Sequence, residues 1–334
     1  MRYHLKKGPA VTLAVLAAAG ASAAAGSSAV GSHSAKPTFV IGQQESGIIS
    51  LVKDSGALNG APYNIKWAVF PFGPPEVEAV AAGQVDIGTD IGDVPPINGA
   101  SKDLGFKVVG ALVPPTYKQA GNYLVVPKGS TIKTLADLKG KNVGVPFGSS
   151  AHGFLLNAVK SVGLSPSSVK FVNLAPAALQ PAFNSGKLDA ISIWNPQAAI
   201  DVENGGRILL AGHPPLDPDV GFVVAANNDL TDPTRKAFLV DLLERLGRAY
   251  QWGNSHPDVW IKDVQKETGV DAKTATIVVQ NGKTTIRYVT PAILKAEQKL
   301  ADTFYEAKQI TKPVTVSTIV VNVLPPSFTG KVGE

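Results

Sequence analysis

Short runs typical of β-strands alternate with helical segments through much of the chain, and this alternation restricts the fold more than any other feature. Residues 38–42 and 65–70 are rich in β-branched and aromatic side chains, which favours strands. Residues 76–82 are predicted to be a helix that ends at Gly83, and residues 84–88 the next strand. Strands that alternate with helices predict an α/β protein with helices on both faces of its sheets.

The middle of the chain continues this alternation. Apolar residues recur at helical spacing from Phe154 to Val162, which predicts a helix that begins at about Ser150. Residues 134–137 (TLAD) have capping-box spacing and predict a short helix. Residues 315–334 show no periodicity. The remaining predictions are strands over residues 142–146, 169–174 and 189–194, and helices over residues 178–184, 233–251, 257–268, 272–279 and 291–308.

Two segments of the chain resemble each other. Residues 82–87 (AGQVDI) and residues 185–190 (SGKLDA) each have the pattern of a helix end, a turn and a strand start, and each strand leads into a loop rich in Gly, Pro and Asn or Asp. Ligands of open α/β sheets bind at the carboxyl ends of the strands. The two loops therefore favour a cleft between two α/β lobes, although any α/β protein repeats a helix, a glycine and a strand.

The N-terminal residues have the organisation of an export signal. Arg2, Lys6 and Lys7 precede an apolar run over residues 11–19, and residues 21–23 (ASA) have the small-residue pattern of a cleavage site. Residues 1–25 are therefore predicted to be a cleavable signal peptide. The alternative is an uncleaved membrane anchor, but the apolar run is shorter than the ~20 residues that cross a bilayer.

The lack of cysteine limits the chemistry of the chain. With no Cys in its sequence, the chain has no disulfide, no thiolate metal ligand, no thiol nucleophile and no cysteine that could carry a lipid. The formal net charge of +5 is small, and no stripe of Lys and Arg with interleaved aromatic residues occurs, so nucleic acid is not an expected partner. The expected protein is soluble and periplasmic, and it is not a lipoprotein.

Loops at predicted strand ends carry the candidate binding residues. Ser149 and Ser150 stand where a strand meets a helix, after Gly148, whose missing side chain lets the backbone approach a ligand. A helix start offers unpaired N–H groups and the positive end of the helix dipole, which suit an anion. Either serine could instead only cap the helix, because serine is a leading N-cap residue. Asp93 is predicted to cap a second helix, with Pro95 in its first turn.

An enzyme would need a nucleophile, a general base or a metal cluster, and the sequence shows none of the usual patterns. His152 is the one histidine of five that falls in a candidate cleft loop, and no Asp–His pair near it indicates a triad. No G-x-S-x-G or H-E-x-x-H sequence occurs, and the GKT at residues 282–284 lacks the earlier glycine of a phosphate-binding G-x-x-x-x-G-K-[ST] loop, since residue 277 is Ile. His152 is expected to hydrogen-bond a ligand or cap a helix, and neither a cofactor nor a metal is expected.

Several segments together resemble the periplasmic binding proteins for aliphatic sulfonates, taurine and nitrate, with the sulfonate branch the most similar. The resemblance runs in order from residue 38 to about residue 315. The segment over residues 132–143 alone is typical of bilobed receptors in general, whereas its combination with GDVPP and GSSAH is more specific. The matching segments are residues 67–74 (WAVFPFGP), 85–97 (VDIGTDIGDVPPI), 132–143 (IKTLADLKGKNV), 148–152 (GSSAH), 188–196 (LDAISIWNP) and 301–306 (ADTFYE).

The resemblance implies a Venus-flytrap fold, in which two mixed-sheet lobes with helices on both faces close over a ligand. Lobe one would comprise residues 37–123 and 224–314, lobe two residues 124–223, and residues 315–334 would form a C-terminal tail. Such a protein acts as a monomer that delivers its ligand to a membrane permease of an ABC importer, which is driven by a separate ATPase.

Two other classes of function stay open at this stage. Desulfinases and thiamine-pyrimidine synthases share the fold, but they depend on cysteine residues that this chain lacks. A sensory receptor that presents its ligand to a membrane partner cannot be distinguished by sequence from a transport receptor.

The matching motifs also imply ligand-binding residues, and departures from the family pattern bear on the ligand. Three residues separate Gly88 from Gly92 where the family typically has two, and Glu45 stands where a non-acidic residue is common. An acidic wall would favour a ligand with a positive or hydrogen-donating part, such as an amino-sulfonate, unless Asp90 points to solvent. The predicted ligand-binding residues are Gln44, Phe72, Gly73, Asp90, Gly92, Asp93, Gly148, Ser149, Ser150, His152 and Trp194, with Trp194 alternatively a core residue.

Overall fold

A computed structural model describes residues 36–44, 47–115 and 120–328, so the predicted signal peptide and Glu45 lie outside the described residues. The predicted alternation of strands and helices is confirmed. The third strand begins three residues later than predicted, because Gln84 still donates its backbone N–H to Ala79 at the end of the preceding helix. The strands are β1 (Thr38–Gln44), β2 (Asn64–Phe70), β3 (Ile87–Ile91), β4 (Phe106–Val113), β5 (Asn122–Val126), β6 (Asn142–Val145), β7 (Lys170–Asn173), β8 (Ala190–Trp194), β9 (Arg207–Ala211), β10 (Gly221–Ala226) and β11 (Thr285–Arg287).

The strands form two mixed sheets. The first sheet has the order β11-β4-β10-β3-β1-β2, and the second sheet has the order β7-β6-β8-β5-β9. In each sheet three parallel strands lie together, namely β2, β1 and β3 in the first and β7, β6 and β8 in the second. An antiparallel strand then follows, β10 beside β3 and β5 beside β8. The two resembling segments of sequence therefore enter equivalent strands, β3 and β8.

Local sequence accounts for where many of the helices begin. Pro233, Pro257 and Pro291 occupy the first turn of their helices, where a missing N–H costs nothing. Asp232 and Thr290 cap two of these helices by accepting a hydrogen bond from the backbone N–H three residues on. The helices are α1 (Ile48–Asp54), α2 (Gly73–Ala81), α3 (Val94–Ser101), α4 (Ser150–Ser161), α5 (Pro176–Asn184), α6 (Gln197–Glu203), α7 (Asn227–Thr231), α8 (Pro233–Ser255), α9 (Pro257–Thr268), α10 (Ala272–Asn281) and α11 (Pro291–Glu306).

Both faces of each sheet are buried under helices. Along β10, Val223 and Ala225 join one apolar cluster with helices α8 to α10, whereas Phe222 and Val224 join another cluster on the opposite face. Along β5, alternate residues likewise enter two different clusters. Successive side chains of a strand point to opposite faces, so a sheet covered on both sides needs apolar residues at every position. No helix in the described part of the chain is both long and apolar enough to cross a membrane.

The chain passes between the sheets twice. It leaves the first sheet after β4, enters the second at β5, and returns to the first at β10. By sheet membership, Asn122 and Tyr123 belong to the second half and residues 221–223 to the first, a shift of two or three residues from the predicted lobe limits. In the C-terminal stretch, Val320 forms a parallel bridge with Val108 of β4. Further on, Phe328 packs against an apolar cluster of the first half.

Candidate ligand-binding site

A cavity of ≈ 230 Å³ lies at the carboxyl ends of the parallel strands and is lined by residues from both sheets. We call residues 44, 73 and 90–95 its first-sheet side and Asn122, Ser149, Ser150, Trp194 and Asn195 its second-sheet side. Residues 212–220, which connect β9 to β10, form the return segment. The full lining is Gln44, Gly73, Asp90, Ile91, Gly92, Asp93, Pro95, Ala120, Gly121, Asn122, Ser149, Ser150, Trp194, Asn195, Asp217, Asp219, Val220, Gly221, Val278, Asn281 and Gly282.

The first-sheet side is built around the turn from β3 into α3. Asp93 is 3% exposed and caps α3 by accepting a hydrogen bond from the N–H of Val94 at 2.8 Å. Gln44 holds the turn from the neighbouring strand, because its Nε2 donates to the backbone oxygen of Asp90 at 2.8 Å. A side chain at Gly73 would lie 2.6 Å from Pro95, so glycine is needed where α2 approaches α3.

The second-sheet side is built around the start of α4. Ser149 occupies the N-cap position, but its hydroxyl donates to the backbone oxygen of Pro146 at 2.6 Å and does not cap the helix. Ser150 Oγ donates to Asn122 Oδ1 at 3.2 Å. The N–H groups of His152 and Gly153 donate to the backbone oxygen of Ser149. Among the described residues, the N–H groups of Ser150 and Ala151 have no acceptor, so these two are the donors that the start of α4 offers.

The two sides approach each other closely at one point. A side chain built at Gly92 would place its Cβ 2.9 Å from Ser150 Cβ and 3.0 Å from Ser150 Oγ. Contacts that short require neighbouring atoms to move. Gly92 therefore allows the turn after β3 to lie against the start of α4.

His152 does not line the cavity, contrary to the prediction. It is 2% exposed, its ring stacks on Phe147 at 4.6 Å, and it contacts Phe304 edge to face. Burial lowers the pKa of His152 to about 4, so the ring is neutral, and its Nδ1 accepts a hydrogen bond from the N–H of Gly148 at 3.2 Å. His152 therefore supports the loop before α4 from the core.

Of the other predicted residues, most line the cavity and two lie outside it. Phe72 and Gly148 also lie outside the lining; Gly148 has φ of 76°, and a Cβ there would lie 2.6 Å from Asn98 Nδ2. Trp194 lines the cavity and is half-buried, with its ring packed against two apolar clusters of the second half. Predicted residues that line the cavity are Gln44, Gly73, Asp90, Gly92, Asp93, Ser149, Ser150 and Trp194.

Sequence reasoning missed a polar network on the return segment. Asp217 is 2% exposed, and its Oδ2 accepts hydrogen bonds from the backbone N–H and the Nδ2 of Asn122, at 3.2 and 2.9 Å. Its Oδ1 accepts from the N–H of Asp219 at 3.3 Å. Asn122 thus connects Ser150 of α4 to Asp217. The only available signal was the concentration of Asp and Pro in residues 214–219, which is also typical of a plain loop.

Buried carboxyl groups dominate the electrostatics of the cavity. Burial first, and then repulsion from Asp217, raise the pKa of Asp219 to about 7 and that of Glu297, next to Asp93 behind the lining, to about 8. Burial is also the main cause that raises the pKa of Asp93. The described lining contains four aspartates and no Lys, Arg or His. Within the described residues no group of three or more His, Asp or Glu is arranged to hold a metal.

Two α/β halves, whose sheets of six and five strands each contain three adjacent parallel strands followed by an antiparallel one, and a cavity at the strand ends define a periplasmic-binding-protein fold. The family comparison agrees with this class. Residues 73–260 match the model of the family described as "NMT1/THI5 like". The chain belongs to that family.

Similar proteins come from Xanthomonas axonopodis and Escherichia coli. The alkanesulfonate-binding protein of Xanthomonas axonopodis pv. citri, bound to MOPS, is 28% identical, with a TM-score of 0.79 over 86% of this chain and 100% of that one. The periplasmic aliphatic sulphonate binding protein of Escherichia coli is 30% identical, with a TM-score of 0.74 over 85% of this chain and 97% of that one. The taurine-binding periplasmic protein of Escherichia coli (strain K12) is 32% identical over 64% of this chain and 63% of its own length.

Proposed function

We propose that this protein is the extracytoplasmic binding component of an ABC importer and captures a small aliphatic sulfonate in the cavity. The observation that carries the proposal is the meeting of the starts of α3 and α4 at one cavity of ≈ 230 Å³. This volume is below the ~300–1,000 Å³ typical of pockets for drug-sized ligands. The size therefore suits a ligand with a short organic tail.

The donors on the second-sheet side suit the sulfonate group. A sulfonate carries a permanent negative charge on three oxygens, and each oxygen accepts hydrogen bonds from N–H or O–H groups. Backbone N–H groups at a helix start combine such donors with the positive end of the helix dipole. We therefore assign the sulfonate to the start of α4, with Ser149, Ser150 and Gly92 around it, and the tail to the space beside Trp194 and Gly73.

Capture rather than catalysis fits the residues present. The three similar proteins named above are binding proteins, whereas a desulfurization enzyme of the same fold is only 14% identical. The chain has no cysteine to act as a nucleophile, and the buried, neutral His152 does not reach the cavity. The predicted signal peptide over residues 1–25 and the periplasmic location of the relatives support export to the periplasm, where a monomer would hand the ligand to its permease.

A thermal-shift screen tests the proposal. The purified protein is heated with ethanesulfonate, propane-1-sulfonate, taurine, nitrate or sulfate, and a bound ligand at a hundredfold excess over its dissociation constant adds ~2.7 kcal/mol to the stability of the folded state. A shift with a sulfonate but not with sulfate or nitrate is the expected result. A shift with none of the sulfonates would overturn the proposed ligand class.

A matched pair of serine variants in α4 locates the binding. Ser150→Ala removes the hydroxyl at the cavity, whereas Ser161→Ala removes one at the other end of the same helix, where it donates to Ala158. On binding, the Ser150 hydroxyl would turn from Asn122 Oδ1 to a sulfonate oxygen, and loss of a hydrogen bond to a charged group weakens binding by about 1.5–3 kcal/mol. Ser150→Ala should therefore reduce affinity about tenfold or more, and Ser161→Ala should not change it. Equal affinities for the two variants would show that the Ser150 hydroxyl does not contribute to ligand binding.

A further inference from the structure

We propose that Glu76, a residue buried behind the cavity lining, positions the first-sheet side for ligand binding by holding a β-bulge at Thr89 and Asp90. The inference rests on the proposed function and concerns the same cavity. It gives a role to a residue of α2 that does not itself reach the ligand.

Strand β3 contains a bulge just before the turn that leads into α3. The strand pairs with β10 at Gly88 and again at Ile91. Between these pairings β3 has two residues, Thr89 and Asp90, where β10 has one, which is the arrangement of a β-bulge. Asp90 has φ of 58°, in the left-handed region that is unfavourable for residues other than glycine. Such a conformation persists only where neighbouring groups hold it.

Side chains replace the backbone ladder beside this bulge. The described pairing of β1 with β3 ends at Gly88, and buried backbone groups beyond it need other partners. The N–H of Thr89 donates to Glu76 Oε1 at 3.0 Å. Gln44 Nε2 donates to the backbone oxygen of Asp90 at 2.8 Å and to Glu76 Oε2 at 3.4 Å. Glu76 therefore holds the bulge directly at Thr89 and, through Gln44, at Asp90.

Two paired glycines make room for the carboxyl group of Glu76. Gly42 of β1 lies opposite Gly88 of β3. A Cβ at Gly42 would lie 2.8 Å from Glu76 Oε1, and a Cβ at Gly88 would lie 3.1 Å from the same atom. Burial first, and then repulsion from Asp90, raise the pKa of Glu76 well above its usual range. The two strands thus leave a space that holds the carboxyl group in its neutral form.

The bulge determines where the backbone of the first-sheet side lies. Asp90, Ile91 and Gly92 line the cavity, and Gly92 lies against Ser150 at the start of α4. A bulge bends its strand and re-aims the residues that follow it. Without the contacts of Glu76, the bulge would relax and move Gly92 from this position. Ligand binding would then have to restore the position, which lowers affinity.

Two substitutions at Glu76 separate its hydrogen bonds from its bulk. Glu76→Leu removes both contacts, whereas Glu76→Gln keeps a neutral acceptor for the N–H of Thr89. In calorimetry with propane-1-sulfonate, Glu76→Leu should lower affinity at least about tenfold, as for an unsatisfied buried N–H, and Glu76→Gln less than about threefold. The control is Val80→Ala, one turn further along α2 and fully buried, which should lower stability and leave affinity unchanged.

Hydrogen exchange at Thr89 provides a readout that needs no ligand. Its rate is measured by NMR relative to that of Leu155 in α4, so that a global loss of stability cancels. Relative to the unmodified protein, the ratio should rise at least about tenfold in Glu76→Leu and stay unchanged in Glu76→Gln and Val80→Ala. If Glu76→Leu does not fold, Gly42→Ala takes its place, because its Cβ would displace the carboxyl group, and the same two changes are expected.

The outcomes separate the two proposals. Equal affinities for the unmodified protein and Glu76→Leu would overturn the positioning role and leave sulfonate capture intact. Equal losses of affinity in Glu76→Leu and either Glu76→Gln or Val80→Ala would also overturn that role, since the hydrogen bond to Thr89 would not be the cause. An unmodified protein that binds no sulfonate would overturn the proposed function and the role of Glu76 in it, and the exchange at Thr89 would still show whether Glu76 holds the bulge.

Discussion

The two sides of the cavity are built by equivalent strands but carry opposite chemistry. On the first-sheet side, β3 leads through Gly92 into the cap of α3 at Asp93, and a second carboxylate, Asp90, stands near the end of β3. On the second-sheet side, β8 leads through Asn195 into α6, and the lining consists of hydroxyl, amide and indole groups. The topology fixes where a ligand can lie, whereas the residues at the strand ends fix which end of the ligand each side prefers.

The two halves also share one apolar cluster close to the cavity. Leu156 of α4 packs with Val94 of α3 and with Phe304 of α11, whereas its neighbour Leu155 packs within the core of the second half. Both leucines are fully buried. Helix α4 therefore packs on its own half through Leu155 and contacts the first half through Leu156.

The largest effect is expected from truncating these two leucines. Leu155→Ala and Leu156→Ala should each lower the free energy of unfolding by about 2–5 kcal/mol, the usual cost of a buried leucine, as measured by urea denaturation. Leu156→Ala should additionally weaken binding of the ligand found in the screen, because it loosens the contact between the halves. Leu155→Ala serves as the control, and equal affinities for the two variants would show that the shared cluster does not support the site.

A side chain at the point where the two sides touch is expected to have the next largest effect. Gly92→Val would bring a Cβ to 2.9 Å from Ser150 Cβ and separate the two sides. We expect affinity, measured by calorimetry, to fall by about a hundredfold, or about 2.7 kcal/mol.

A double variant distinguishes this steric effect from general damage. Ser150→Gly removes the atoms that the new side chain meets, so affinity in the Gly92→Val, Ser150→Gly protein should be higher than the sum of the two single effects predicts. If the effects of the two substitutions on affinity are strictly additive, the loss of affinity in Gly92→Val does not come from contact with Ser150.

Sequence reasoning predicted the fold better than the site. The alternation of strands and helices, the start of α4 and the limits of α9 at residues 257 and 268 follow from local patterns of spacing and capping. The antiparallel strands β4 and β10 were not predicted as part of the first sheet. Both are buried on two faces, so they lack the alternation of polar and apolar residues that marks a half-exposed strand.

The site residues show the same limit. Gly92 and Ser149 line the cavity, where strand ends, which are local features of sequence, had placed them; that they bind a ligand stays a prediction. Asp217 was missed because its position depends on how the chain returns from the second sheet to the first. His152 could have been placed in the core, since it precedes Leu156 by four residues and Val159 by seven, the spacing of one helix face.

The buried carboxyl of Glu297, behind the first-sheet side of the cavity, leads to a prediction about how stability depends on pH. Glu297 is 2% exposed, neither of its oxygens has a partner within the described residues, and burial raises its pKa from 4.5 to about 8. The folded protein therefore holds a proton that the unfolded chain releases above pH 4.5, so stability falls as pH rises from about 4.5 to 8. Glu297→Gln should be more stable than the unmodified protein at pH 9, by about 1–3 kcal/mol, and close to it at pH 5.

Glu306 in the same helix is the control for Glu297. It is exposed and pairs with Lys160 at 3.3 Å, so Glu306→Gln should not produce this gain at high pH in urea denaturation. A gain of the same size in both variants would indicate a general effect of charge and not the burial of Glu297.

The smallest effect is expected at the Lys160–Glu306 ion pair itself, which joins α4 of the second half to α11 of the first. The two side chains are 39% and 69% exposed, and exposed pairs contribute only about 0.2–1 kcal/mol, less at high salt. Lys160→Ala should therefore change stability and ligand affinity by less than about 1 kcal/mol at low salt, and 1 M NaCl should remove the difference. A larger loss that persists in salt would mean that charge, and not the apolar cluster around Leu156, holds the two halves together.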